Sequence, residues 1–151
     1  MTCFTDNQER NWSLSVNVNT LRRVKALCGV MLTDLVVLEP GKKPTMELLE
    51  RLANDPVLLV DVLYAAIKPE ADARGISDES FGATMVGDVL ETAVTALLEE
   101  VIAFFPSAKR MVLKRLLDVS LRFTQQQRKE LERLMETPNL ESELLKVLEK
   151  A

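Results

Sequence analysis

Paired carboxylic acids are the candidates for acid–base chemistry in this sequence, because the chain contains no histidine, the commonest general base. That absence excludes His-dependent catalytic triads and HExxH zinc sites. The pairs Asp78-Glu79 and Glu99-Glu100 have the residue type of a glycosidase carboxylate pair. Such a pair needs a cleft and a fixed separation, whereas these pairs fall on expected helix surfaces or at a helix start. We therefore expect solvated acidic faces here.

Asp61 is the one polar residue in a stretch from Val57 to Ile67 whose ten other residues are apolar. A carboxylate on an apolar helix can accept a hydrogen bond from a neighbouring helix, point toward a wet edge, or mark a functional site. The two structural roles are the favoured interpretations.

The cysteines and loops carry no recognisable site chemistry. Cys3 and Cys28 match no metal-ligand spacing, and Cys28 lies in an apolar helical pattern typical of a small buried side chain. Neither GxGxxG nor GxxxxGK[ST] occurs. We expect no catalytic residue, no cofactor and no metal, and hence a protein that is not an enzyme.

Composition indicates one globular domain. Of 151 residues, 47% are apolar, 28% charged and 5% aromatic; a domain of this size buries about two-thirds of its unfolded surface. The opening MTCFTDNQER has neither the basic nor the apolar region of a secretion signal, and no apolar run is long enough for a membrane span. These features predict a protein of the reducing cytoplasm.

The N-terminal residues predict a β-hairpin. After the polar turn DNQE, apolar Trp12, Leu14, Val16 and Val18 alternate with polar residues. An isolated hairpin is marginal in water, so we expect this one to pack on the rest of the protein.

Capping residues then predict helices. Asn19 or Thr20 can begin a first helix that ends at Gly29, and residues 31–38 fit either a short helix or a strand. EPGKKP reads as a loop, and Thr45 is the expected cap of the next helix.

The apolar stretch should form a helix buried on several sides. Asp55-Pro56 is a strong start signal, and the pattern predicts a helix to about Lys68, followed by a helical turn that stops at Gly75. A further helix is expected from about Glu79 to Phe105, bent near one of two glycines, Gly82 or Gly87.

The C-terminal part predicts shorter helices with a basic face. Pro106-Ser107 begins one, Thr124–Gln127 fits a capping box for the next, and Thr137-Pro138 begins the last. The first of them is expected to turn inward Val112, Leu116, Val119 and Phe123. Its outward residues are the candidate partner-binding face: Lys109, Arg110, Lys114, Arg115 and Arg122.

The fold class predicted is mostly α (α+β), a bundle-like single domain. We expect a β-hairpin over residues 1–18, a main helical core over 19–106 and C-terminal helices over 107–151. Charge is uneven: residues 47–100 carry twelve acids and three bases, and residues 108–133 carry eight bases and three acids.

The basic face has three interpretations. It can be a solvated surface that pairs with the acidic middle of the chain, or a face that binds a partner protein or a second copy. Nucleic acid is the least favoured, because the stripe lacks interleaved aromatic residues and the protein is acidic overall, at a net charge of −4.

Three stretches resemble a family of phage proteins. They are FTDNQERNWSLSVNVNTLRRVKALCGVML, LANDPVLLVDVLYAAIKPEADARGISDESFGATM and ALLEEVIAFFP. They look like the tail assembly chaperones of tailed bacteriophages, which are encoded beside the tape-measure gene. The residues from Lys109 onward carry no such resemblance.

The resemblance implies a non-enzymatic protein of the infected host cell's cytoplasm. Such chaperones coat the tape-measure protein, keep it soluble and help to recruit tail-tube subunits. An alternative is a structural virion protein, such as a neck or tail-completion protein, that stays in the particle. A small enzyme or a nucleic-acid-binding regulator is a third, less favoured, class.

Overall fold

The computed structural model describes residues 2–135 and 140–149. Within them the protein is mostly helical with one N-terminal antiparallel hairpin, which confirms the predicted mostly α (α+β) class. Internal contacts separate two compact units, Met1–Arg110 and Met111–Ala151. The predicted single-domain organisation and its internal boundaries stay a prediction.

The elements of the described part follow in chain order, with one short 3₁₀ helix at Leu32–Asp34. They are β1 (Thr2–Thr5), β2 (Asn11–Leu14), α1 (Val18–Cys28), α2 (Glu47–Asn54), α3 (Pro56–Arg74), α4 (Asp78–Gly82), α5 (Asp88–Phe104), α6 (Ser107–Met135) and α7 (Leu140–Glu149).

The hairpin packs through its large side chains, as predicted. Phe4 lies opposite Trp12 in the antiparallel register, and both are buried, as is Leu14. Phe81 of α4 packs edge-on against both rings, with centroids 6.3 Å from Phe4 and 5.6 Å from Trp12. Val16, expected on the same face, is half-buried.

The predicted alternation is wrong at Val18, which is 53% exposed and begins α1. Asn17, and neither Asn19 nor Thr20, caps this helix. Its side chain accepts a hydrogen bond from the Thr20 amide at 3.1 Å, and the Thr20 hydroxyl accepts one from the Asn17 amide at 3.3 Å. This capping box overrides the strand pattern. Gly29 ends α1 as predicted, with φ of 69°.

A buried carboxylate organises the hairpin turn. Asp6 accepts hydrogen bonds from the amides of Gln8 and Arg10, from Arg10 Nε at 2.7 Å and from Trp12 Nε1 at 2.9 Å. Burial acts to raise the pKa of Asp6, but the hydrogen bonds from Trp12, Arg10 and Gln8 outweigh it and lower the pKa below its usual value. From the sequence, Asp6 is expected only to form part of a polar turn.

The segment before α2 combines both expected structures. The 3₁₀ helix Leu32–Asp34 precedes a single antiparallel bridge between Val37 and Thr45, which closes the predicted EPGKKP loop. The prediction that Thr45 caps α2 is wrong, because its amide and carbonyl pair with Val37. Met46 stands at the N-cap without a side-chain hydrogen bond.

Helix α3 begins as predicted. The Asp55 carboxylate accepts a hydrogen bond from the Leu58 amide at 3.1 Å, and Pro56 occupies the first turn. Most of the helix is covered, although Val57 near its start is 70% exposed. The buried side chains are Leu59, Val62, Leu63, Ala65, Ala66, Ile67 and Ala71.

The predicted end of α3 near Lys68 is wrong, because the helix continues through Pro69 to Arg74. A proline usually breaks a helix by removing the amide that would serve the carbonyl four residues earlier. Here that carbonyl, on Ala65, accepts a hydrogen bond from Arg23 of α1, so the helix is not forced to stop.

The last turn of α3 holds the hairpin. Glu70 accepts a hydrogen bond from the Ser13 amide at 3.1 Å, and Arg74 donates to the Asn11 carbonyl at 2.9 Å. Arg74 also pairs with Glu70 at 2.7 Å, and its guanidinium lies 4.6 Å from the centroid of the Trp12 ring. The position of Trp12 therefore depends on α3 continuing past its proline.

Two helices replace the single bent helix predicted for residues 79–105. Ser77 caps α4 as expected, accepting from the Ser80 amide at 3.2 Å, and α4 ends at Gly82. Gly87 then adopts φ 62° and ψ −133°, a conformation that favours glycine. The chain turns there, and α5 begins at Asp88.

Helix α6 is continuous over 29 residues, so the predicted break at Thr124–Gln127 is wrong. The residues that follow Thr124 are glutamine, arginine and lysine, which are good helix formers, and no glycine or proline interrupts them. The predicted start at Thr137-Pro138 lies outside the described residues.

Candidate partner-binding surfaces

The paired acids do not share one environment. Asp78, Glu79 and Glu99 are exposed as expected, but Glu100 is buried and accepts a hydrogen bond from the Thr2 hydroxyl at 2.7 Å. Burial acts to raise the pKa of Glu100, and hydrogen bonds, including that from Thr2, lower it below its usual value. The expectation of a solvated side chain is wrong at Glu100, which anchors β1 to α5.

The cysteines are free thiols in different settings. Cys3 is exposed, and Cys28 is half-buried, so the expectation of a buried Cys28 holds in part. Burial and the nearby negative charge of Asp61 raise the pKa of Cys28. Because the thiolate is the reactive form of cysteine, the raised pKa disfavours reaction at Cys28.

An open groove of about 480 Å³ lies beside the first turns of α3, where α4 passes. We call it the α3–α4 groove. Val57, Val60 and Met85 give it an apolar floor. The two helices lie close at Gly82, where a Cβ would contact Val60 Cγ1 at 3.9 Å.

The rim of the α3–α4 groove is acidic. Asp61, Asp78 and Glu79 line it and are exposed, and none of its described lining residues is basic. Asp61 therefore points to a solvent-exposed edge of the helix, which is one of the roles predicted for it. On the floor, Val57 is 70% exposed, whereas Val60 is half-buried and Met85 is buried.

All five basic residues of the predicted partner-binding face lie on α6. Lys109 and Arg110 are half-exposed, and Lys114, Arg115 and Arg122 are exposed. The Lys109 ammonium lies 4.4 Å from the centroid of the Phe105 ring, a cation–π distance. Their role in binding stays a prediction.

The apolar side of the same helix is less covered than predicted. Val112 is 47% exposed and Val119 is 61% exposed, whereas Leu116 is half-buried and Leu113 is buried. Residues Val112, Leu116 and Val119, four and three positions apart, align along one side of α6. We call them the α6 apolar row; the expectation that its valines turn inward is wrong.

Helix geometry divides the basic residues into two groups. Successive residues of an α-helix are rotated by about 100°, so Arg115 and Arg122 lie beside the α6 apolar row and Lys114 lies on the opposite side. Within the C-terminal unit, none of these three forms an ion pair with a described residue. Their charges are available to an acidic surface.

In comparisons with known proteins, no family model, no curated protein sequence and no solved structure matches the chain. The resemblance to tail assembly chaperones therefore stays a prediction. The basic residues are evident in the sequence, but the α3–α4 groove is not, because it exists only where α4 lies against α3.

Across the described residues, no helix combines the length and the apolar character that a membrane crossing needs. No cluster of three or more Cys, Asp or Glu side chains is arranged there to hold a metal ion.

Proposed function

We propose that this protein is a non-enzymatic, cofactor-free tail assembly chaperone of a tailed bacteriophage, acting in the host cell cytoplasm. Its partner is the tape-measure protein, and it assists tail-tube assembly by bringing tube subunits to that partner. The observation that carries the proposal is the α3–α4 groove, an open apolar floor on a helical scaffold. The resemblance of residues 4–32, 52–85 and 96–106 supports the choice of partner.

The groove would bind an apolar-faced helix. A helical segment with apolar side chains three and four positions apart can lay that face into such a groove. Val57 is 70% exposed, and complete burial of an apolar side chain of this size contributes about 1.5–3 kcal/mol. Binding should therefore show a negative heat-capacity change.

Co-expression with the tape-measure gene tests the proposal. We expect the tape-measure protein to stay soluble and to co-purify with the wild-type chain. Val57→Glu should abolish co-purification, because it places a charge on the groove floor. Its matched control is Val18→Glu, since Val18 is 53% exposed and also begins a helix, α1, outside the groove. Near a helix N-terminus an added carboxylate is tolerated, so both variants should fold.

Equal solubility of the tape-measure protein with and without this chain, together with no co-purification, contradicts the chaperone function. The alternative, a structural virion protein such as a neck or tail-completion component, makes a different prediction. Mass spectrometry of purified virions would find this chain in stoichiometric amounts if it is structural, and would not find it if it is a chaperone.

A further inference from the structure

We infer that a second copy of this chain can occupy the α3–α4 groove. The α6 apolar row of one copy lies on the groove floor of the other, and Arg115 and Arg122 of the first contact the acidic rim of the second. The inference shares the groove with the proposed function but requires no phage partner, so the two can fail separately.

Charge complementarity selects this occupant. The rim presents Asp61, Asp78 and Glu79, all exposed, and the described lining carries no basic residue. A helix that fits must therefore place cations beside an apolar stripe. Arg115 and Arg122 lie on one side of the α6 apolar row, are exposed, and form no ion pair with described residues of their own unit.

Apolar matching supports the same pairing. Val57 on the groove floor and the two valines of the α6 apolar row, Val112 and Val119, are 70%, 47% and 61% exposed. The two valines are seven residues apart, which is about 10.5 Å along a helix that rises 1.5 Å per residue. The two arginines have the same spacing, so apolar and charged contacts repeat together along two turns.

The contact is heterologous, because groove and row are different surfaces of one chain. Such a contact leaves a free groove on one copy and a free row on the other, so it propagates into chains unless a ring closes. The average mass in solution should rise with protein concentration. It should fall as salt increases from about 0.05 M to 1 M, because exposed charges are screened beyond about 3 Å at the higher value.

Charge-reversal variants test the pairing in sedimentation or light-scattering experiments on the full chain. The groove variant is Asp61→Lys/Glu79→Lys, and the row variant is Arg115→Glu/Arg122→Glu. Each alone should raise the dissociation constant about tenfold or more, equivalent to ~1.4 kcal/mol. An equimolar mixture should regain association, because each variant then meets a surface of opposite charge.

Two charge reversals outside the α3–α4 groove and away from the α6 apolar row are the controls. Lys114→Glu changes a cation on the opposite side of α6, and Glu99→Lys changes an exposed acid on α5. Both should associate like the wild type. Circular dichroism shows whether each variant is folded. The double variants Asp61→Asn/Glu79→Gln and Arg115→Gln/Arg122→Gln remove the charges without reversing them and repeat the test. A monomeric wild type at low salt, or a mixture that stays monomeric while both variants are folded, would overturn the inference.

Discussion

Arg23 of α1 donates a hydrogen bond to the Ala65 carbonyl, which Pro69 leaves without its helical donor, and a second one to the neighbouring Ala66 carbonyl. Its Nε lies 2.9 Å from the Ala65 carbonyl oxygen, and its Nη2 lies 3.0 Å from the Ala66 carbonyl oxygen. Ala65 and Ala66 are only 1% and 6% exposed, so water has little access to replace these bonds. The guanidinium thus lets a helix with an internal proline continue to Arg74.

Arg23→Ala should lower the free energy of unfolding by about 1–3 kcal/mol, because it leaves the buried Ala65 carbonyl without a donor. Arg22→Ala is the matched control; Arg22 is exposed on the same helix, and its loss should change stability by about 0.5 kcal/mol or less. Urea denaturation measures both.

Pro69→Ala gives a second test of the same prediction, because alanine restores the amide that donates to the Ala65 carbonyl. The cost of removing Arg23 should be smaller in that background. An equal cost with Pro69 and with alanine at position 69 would contradict the role assigned to Arg23.

Leu63→Ala and Leu59→Ala should each lower the free energy of unfolding by about 2–5 kcal/mol, the usual range for a buried leucine. Leu63 and Leu59 are 0% and 4% exposed. Val57→Ala on the same helix should cost less than about 1 kcal/mol, because Val57 is 70% exposed. Chemical denaturation of the three variants checks this, and costs below about 1 kcal/mol at both leucines would show that the helix is not buried.

Acid should destabilise the N-terminal unit partly through Asp6. Its folded-state pKa lies below its usual value, so its stabilising contribution is present above the unfolded pKa of about 3.9. That contribution is lost as pH falls from there through the folded pKa. Asp6→Asn should therefore flatten the dependence of unfolding free energy on pH below about 4. Slopes for Asp6→Asn that equal those of the wild type would contradict this.

Purified protein should contain no stoichiometric zinc or iron. The absence of histidine and of any metal-ligand spacing in the sequence motivates this expectation. Elemental analysis after dialysis measures it, and one bound metal per chain would overturn the non-enzymatic interpretation.

Local signals predict two helix ends correctly, whereas the predicted caps of α1 and α2 and the predicted break in α6 are wrong. Asp55-Pro56 begins α3 and Gly29 ends α1, because each position is decided by a few neighbouring residues. The continuation past Pro69 was missed because it depends on Arg23, which is distant in sequence. The break at Gly87 was underestimated for a related reason: periodicity shows a glycine but not the conformation it adopts.

The candidate surfaces were predictable to different degrees. The positions of Arg115 and Arg122 follow from the sequence, and helical spacing separates them from Lys114. The groove beside Val57 requires knowing where α4 lies, and the exposure of Val112 and Val119 requires knowing what covers α6. Hydrophobic periodicity predicts neither the groove nor this exposure, because it identifies the apolar side of a helix but not whether another element covers that side.

The environment of Trp12 makes the two units distinguishable by spectroscopy. Trp12 is the single tryptophan and Tyr64 the single tyrosine of the chain, and both belong to the unit Met1–Arg110. The Trp12 indole is fully buried, donates a hydrogen bond to Asp6 and contacts the Arg74 guanidinium. Its fluorescence emission will therefore change when the hairpin no longer packs against α3. Intrinsic fluorescence consequently reports on the first unit alone, whereas far-ultraviolet dichroism also registers the helices of the second. Melting curves that coincide by both probes would mean that the units unfold together, and separated midpoints would assign the fluorescence transition to the first unit.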